Sequence, residues 1–177
     1  TSLRFDGSTA YLEAPAHADW NFGSGNATVE CWFYPTSSSG VQRILSSQGG
    51  GGMWILWWNR NGGRKVSING NVVTESHSSS AFSLNTWHHV AMTKIGTAIK
   101  LYVNGVQEIA VTASGNFTDT SGTMIAGAYS GDGSEKFNGY IDEIRICKGL
   151  AVYTGAFTPQ TTALTTTWSA GTNIAAN

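Results

Sequence analysis

The chain has 177 residues, enough for one ordinary domain with a substantial core, and its 10 Lys and Arg against 11 Asp and Glu give a formal net charge of -1. Only 12% of residues are charged, which excludes the basic field of a nucleic-acid binder, and the longest apolar run, around residues 53–58, is too short to span a bilayer. Low charge with 22 glycines, abundant Ser and Thr and seven tryptophans suits an extracellular or particle surface.

Strand periodicity runs almost throughout. Residues 2–5, 10–14, 28–34, 42–47, 53–59, 65–68, 72–76, 87–95, 98–103, 106–112, 123–128 and 139–147 read as strands bounded by Gly, Asn, Ser and Asp. Asn104-Gly105 is the strongest hairpin signal, because both central positions of a two-residue turn need positive φ, and Asn69-Gly70 is expected to make a second. Only residues 148–153 suit a short helical turn. Many short strands with close turns predict an all-β fold, a two-sheet antiparallel β-sandwich. The domain is expected over residues 1–159, and the aperiodic Thr/Ala-rich stretch 160–177 reads as a tail or linker.

Alternation assigns side chains to faces. Cys31 shares a face with Val29 and Phe33, the expected core side, whereas Cys147 keeps company with Glu143 and Arg145, so two free thiols are expected. In residues 140–147, strict alternation puts Asp142 with Ile144 and Ile146, and Ile141 with Glu143, Arg145 and Cys147. An inward Asp142 needs donors or a cation. Because Asp142 and Glu143 then point to opposite faces, they cannot straddle one glycosidic bond, and no catalytic residues are assigned. Arg145 beside Glu30 and Glu143 points instead to a cross-strand ion pair. His88 and His89 also point to opposite sides, one to the core edge and one to the sheet face, which disfavours a shared metal site.

Several motifs occur in order: SerLeuArgPheAspGlySerThrAlaTyrLeuGlu at the start, AlaThrValGluCysTrpPheTyrPro, TrpHisHisValAlaMetThrLys, LeuTyrValAsnGly and PheAsnGlyTyrIleAspGluIleArgIle. Together they resemble the laminin G-like, concanavalin A-like jelly-roll family, related to pentraxins, over nearly the whole of residues 2–159. The ending, residues 144–159, further resembles copies found in phage structural and tail-fibre proteins. This resemblance implies a jelly-roll sandwich and a structural or ligand-bridging calcium, with Asp142 as the best candidate ligand and Asp6 as a helper. Asp142 bracing backbone N–H groups is an equal alternative. Where pentraxin-like relatives carry acidic residues before the tryptophan-rich strand, this chain has four glycines, 49–52, leaving Asp132 and Glu135 as a partial acidic loop.

Tryptophans carry the argument for a ligand. Trp54, Leu56 and Trp58 share one face of their strand and Met53, Ile55 and Trp57 the other; one row enters the core and the other puts an indole on the outer surface. Such an indole beside Asn59 and Arg60 suits stacking on a sugar ring, and Trp32 is expected to extend the platform, while Trp87 is assigned to the core. The expected function is a non-catalytic adhesion or glycan-recognition module on a virion or cell surface, such as a phage tail fibre or appendage. Its expected partners are a glycan or cell-surface polysaccharide, further copies of the chain, or other virion proteins. A purely structural oligomer-forming subunit is the competing class, and a polysaccharide hydrolase a weak third.

Overall fold

The computed structural model describes residues 2–48, 54–118, 122–129 and 134–164. All twelve expected strands are present: β1 Leu3–Asp6, β2 Leu12–Ala14, β3 Ala27–Pro35, β4 Gln42–Gln48, β5 Trp54–Trp58, β6 Val66–Gly70, β7 Val73–His77, β8 His88–Ile95, β9 Ala98–Val103, β10 Val106–Thr112, β11 Thr123–Ala126 and β12 Asn138–Lys148. They form two antiparallel six-stranded sheets. Sheet A runs β1-β12-β3-β8-β9-β10 and sheet B runs β2-β11-β4-β5-β6-β7.

The core is the space between the sheets. Sheet A contributes Val29, Cys31, Phe33, Val90, Met92, Leu101 and Ile141; sheet B contributes Trp54, Leu56, Trp58 and Ile68, all buried. Trp54 stacks on Phe22 at 6.0 Å between ring centroids, and Trp58 packs against Phe33 at 5.8 Å. Each ring removes a large apolar area from water, so these aromatic pairs contribute strongly to the core.

Turn chemistry differs from expectation in two places. Asn104 and Gly105, with φ of 52° and 79°, close the β9–β10 hairpin as their residue types require. Asn69-Gly70 does not form a turn centre. It ends β6 at a register shift between Ile68 and Gly70, and the chain reverses after Gly70 pairs with Val73. The only helical turn among the described residues is a 3-10 turn at Ala18–Trp20, where His17 Nδ1 accepts the Asp19 N–H at 3.2 Å. Residues 148–153 are not helical. Gly149 N–H donates to the Asn26 carbonyl at 2.7 Å and Val152 N–H to Thr28 Oγ1 at 2.8 Å, which holds that stretch extended across sheet A.

This extended stretch forms a strap over part of the outer face of sheet A. Val152 and Tyr153 pack on Ala91 and Tyr102, with Leu150, Cys147 and Phe157 around them. Tyr153 and Phe157 stack face to face, and Phe157 N–H donates to the Gly105 carbonyl at 3.0 Å. Cys31 lies in the inter-sheet core and Cys147 under the strap, both as free thiols, as parity requires.

A bulge in β12 changes the expected facing of its carboxylates. Ile141 pairs with Phe33 and Asp142 with Trp32, but Arg145 pairs with Glu30, so Glu143 and Ile144 together stand opposite Cys31. Glu143 takes φ of 50° and donates its N–H to its neighbour, Asp142 Oδ1, at 2.9 Å. The extra residue breaks alternation. Ile141, Ile144 and Ile146 pack on the core, while Asp142 goes to the outer side with Trp32, not inward with the isoleucines.

Candidate functional site

The outer face of sheet A is divided by the strap into a closed part and an open part. Beneath the strap lies Glu30, with no solvent exposure. Its Oε2 accepts from Tyr153 OH at 2.8 Å and from His89 Nε2 at 2.9 Å, and its Oε1 from Arg145 Nε at 2.6 Å, with Arg145 Nη2 also in contact. Burial pushes this carboxyl up, but His89, Arg145 and Tyr153 together hold it below the ordinary value. The expected Glu30–Arg145 ion pair is therefore present and buried. The neighbouring His88 faces the core edge against Phe33 and Phe82; Nε2 donates to the Ser83 carbonyl at 2.9 Å and Nδ1 accepts from Asn104 at 3.2 Å. Burial lowers its pKa. The two histidines divide between faces as alternation requires.

Beyond the strap the same face is open. Here two strands set side chains in register: Tyr140 on β12 pairs with Tyr34 on β3, and Asp142 pairs with Trp32. Trp87, just before β8, packs against Tyr34 at 5.4 Å, and Tyr34 against Tyr140 at 5.8 Å. Trp87 is 38% exposed and so does not belong to the core, where the sequence reading put it. Its neighbour explains this. His88, Val90 and Met92 point inward, so Trp87 and His89 must point outward.

Trp32, Trp87, Asp142 and Glu143 line a groove of about 330 Å³, whose other wall is residues 160–163 of the chain beyond the strap. An adjoining hollow of about 350 Å³ is lined by Ser2, Tyr34, Trp87 and Tyr140. Trp32 Nε1 donates to the Gln160 carbonyl at 3.3 Å and Leu164 N–H to Glu143 Oε2 at 2.7 Å, which fixes the wall to the sheet. The bulge thus places Asp142 and Glu143 in one groove, where strict alternation separates them. Tyr34, Tyr140, Glu143 and Trp87 join the surface without having been singled out as binding residues. Trp87 was legible from the inward parity of Val90 and Met92; the bulge that turns Glu143 outward has no marker in the residue types around it.

The tryptophan-rich strand lies in the other sheet. Trp54 and Trp58 are fully buried between the sheets, and Trp58 Nε1 donates to the Ser37 carbonyl at 2.8 Å. Trp57 is the outward indole that alternation requires, yet only 3% of it is exposed. Arg60 lies over its ring at 4.6 Å, Arg43 approaches at 5.6 Å, and its Nε1 donates to Glu135 Oε2 at 2.9 Å. Arg43 is itself buried and paired with Glu135, so Glu135 is a structural anchor. Asn59, at φ of 59°, is consumed by the local turn: Nδ2 donates to the Ser38 and Gly40 carbonyls and Oδ1 accepts from Arg64 N–H. Trp32 belongs to sheet A and Trp57 to the outer side of sheet B, so they do not form one platform.

The carboxylates expected to hold calcium do not converge. Asp6 Oδ1 accepts N–H groups from Ser8, Thr9 and Ala10, and Oδ2 accepts Thr9 Oγ1; the Ala10 bond is the largest of the effects that hold its carboxyl far below the usual range. Asp6 pairs with Asn138, whereas Asp142 lies four residues further along β12 among aromatic rings. Among the described residues no three His, Cys, Asp or Glu side chains form a metal-sized cluster. Asp6 and Asp142 therefore do not fit a shared calcium site; Asp132 and glycines 49–52 lie outside the described residues.

This architecture and its sequence place the chain in a known class. The chain belongs to the concanavalin A-like lectin/glucanases superfamily, whose laminin G family model matches residues 6–169. Comparison with curated proteins finds no match. Similar solved structures include mouse laminin alpha1 chain domains LG4-5, 17% identical with a TM-score of 0.65, covering 90% of this chain and 44% of that one. Ruminococcus gnavus IT-sialidase CBM40 bound to alpha2,3 sialyllactose is 14% identical with a TM-score of 0.64, covering 83% and 89%. A native heptameric SAP-like pentraxin from Limulus polyphemus is 15% identical with a TM-score of 0.60, covering 82% and 74%. At these identities the likeness is one of fold. No helix among the described residues is long and apolar enough to cross a membrane.

Proposed function

We propose that the domain is a non-catalytic glycan-binding adhesion module and that its ligand lies in the groove on sheet A. The observation that carries this reading is the juxtaposition of partly exposed aromatic rings, Trp32, Tyr34, Trp87 and Tyr140, with the carboxylates of Asp142 and Glu143. Flat rings stack on the apolar faces of sugars, and carboxylate oxygens take hydrogen bonds from their hydroxyls. Membership of a lectin-containing superfamily supports it. The resemblance of residues 144–159 to copies found in phage structural and tail-fibre proteins supports display on a virion appendage, and a surface of that kind presents such modules to cell-surface polysaccharide.

Hydrolysis fits this geometry poorly. Asp142 and Glu143 are consecutive residues on one wall, and glycoside cleavage requires two carboxyls flanking the scissile bond from different sides. The reading is tested on an oligosaccharide array with Trp87→Ala. Trp87 is outside the core, so the variant folds, with an unchanged melting profile, and is expected to lose at least tenfold in affinity. A blank array for the parent chain, with self-association lost in Trp87→Ala, supports the structural-subunit reading instead, and release of shortened sugars points to a hydrolase.

A further inference from the structure

We infer that the groove selects uncharged sugars and rejects acidic ones; this deepens the glycan reading and rests on it. The described residues lining both hollows, Trp32, Trp87, Asp142, Glu143 and residues 160–163 in one, and Ser2, Tyr34, Trp87 and Tyr140 in the other, include two carboxylates and no Lys, Arg or His. Two of the three basic groups nearest in register are already engaged. His89 and Arg145 lie under the strap and bond to Glu30. Arg4 stands on the edge strand opposite Tyr140, exposed and outside the groove lining. Residues 165–177 contain no charged side chain.

The two carboxylates also keep acceptor capacity. Asp142 Oδ1 takes the Glu143 N–H and Glu143 Oε2 takes the Leu164 N–H, but Asp142 Oδ2 and Glu143 Oε1 accept no hydrogen bond from the described residues. Sugar hydroxyls are donors, and a charge-assisted bond to either oxygen is stronger than a neutral one. A uronate or sialic acid in the same place would set a third carboxylate beside these two, in a groove partly screened from water by indole rings, where like charges repel strongly. Trp32 cannot offset this, because its N–H is already given to the Gln160 carbonyl.

Binding of the parent chain is measured to neutral gluco-, galacto- and manno-oligosaccharides and to matched oligosaccharides carrying one uronate or one sialic acid. The same set is measured with Asp142→Asn/Glu143→Gln and with Trp87→Ala. The expected result is binding to at least one neutral series, at least tenfold weaker binding to its acidic counterpart, and closure of that gap in the double variant. Equal or tighter binding of the acidic series, abolished by Trp87→Ala, overturns the charge rule while leaving the groove as the glycan site. A gap that persists in the double variant also overturns it. Failure of the parent chain to bind any of these sugars overturns both readings.

Discussion

Glu30 has no solvent exposure, yet its carboxylate gathers His89, Tyr153 and Arg145 from three different segments of the chain. Removing one partner of a buried charge pair leaves the other without compensation, at a cost of about 3–5 kcal/mol. Glu30→Gln is therefore expected to lower the melting temperature by roughly 10 °C in a domain of this size. The pH dependence follows from the direction of the shift. A carboxyl held below its ordinary 4.5 contributes its full stabilisation above that value and loses it as the pH falls through the lower folded-state value. Thermal melts from pH 6 to pH 2 are expected to show a steep acid-side loss in the parent chain and a shallower one in Glu30→Gln. Asp6, also shifted down, leaves part of the slope in place. The Glu30–Arg145 pair was legible in the sequence because both residues sit on outward positions of strands. Tyr153 was not, since nothing periodic in residues 148–159 announces that they turn back over sheet A.

At the scale of elements, the twelve strands were legible because alternation and turn residues act locally, and Asn104-Gly105 shows how far such a signal reaches. This hairpin has a second task that no local signal carries. A Cβ on Gly105 would collide with the Phe157 carbonyl, so glycine is needed there both for its φ of 79° and for the close approach of the strap. Gly105→Ala is expected to destabilise the domain by about 1–3 kcal/mol and to expose residues 150–159 to proteolysis while sheet B remains protected. Limited proteolysis with mass mapping checks this; equal cleavage in variant and parent would mean that the strap does not depend on the turn. The β12 bulge is the opposite case. Glutamate rarely takes positive φ, so strict alternation was the proper default, and the error it produced was to send Asp142 to the wrong face and to separate it from Glu143.

For the molecule as a whole, the site is an assembly of distant pieces. Two walls come from sheet A and the third from residues 160–163, which lie past the point where strand periodicity ends. That is why the sequence pointed instead to the tryptophan-rich strand: its indoles are concentrated in five residues, whereas Trp32, Trp87 and Tyr140 become neighbours only through pairing of β3 with β8 and β12. A chain ending at Pro159 retains every strand and the strap residues through Phe157, but lacks the groove wall. It is expected to fold, with melting temperature lowered by a few degrees at most, and to lose at least tenfold in glycan affinity on titration calorimetry. Undiminished affinity would move the site away from this groove.

The order of sheet A, with β3 held between β12 and β8 and β1 closed by β12, joins the first strand to the last. During synthesis, β1 and β3 wait with an unpaired edge until Asn138–Lys148 has emerged. Folding is consequently late and dominated by long-range closure. Exchange of β12 between copies is therefore the misassembly expected in a tandem array or dense assembly of such domains.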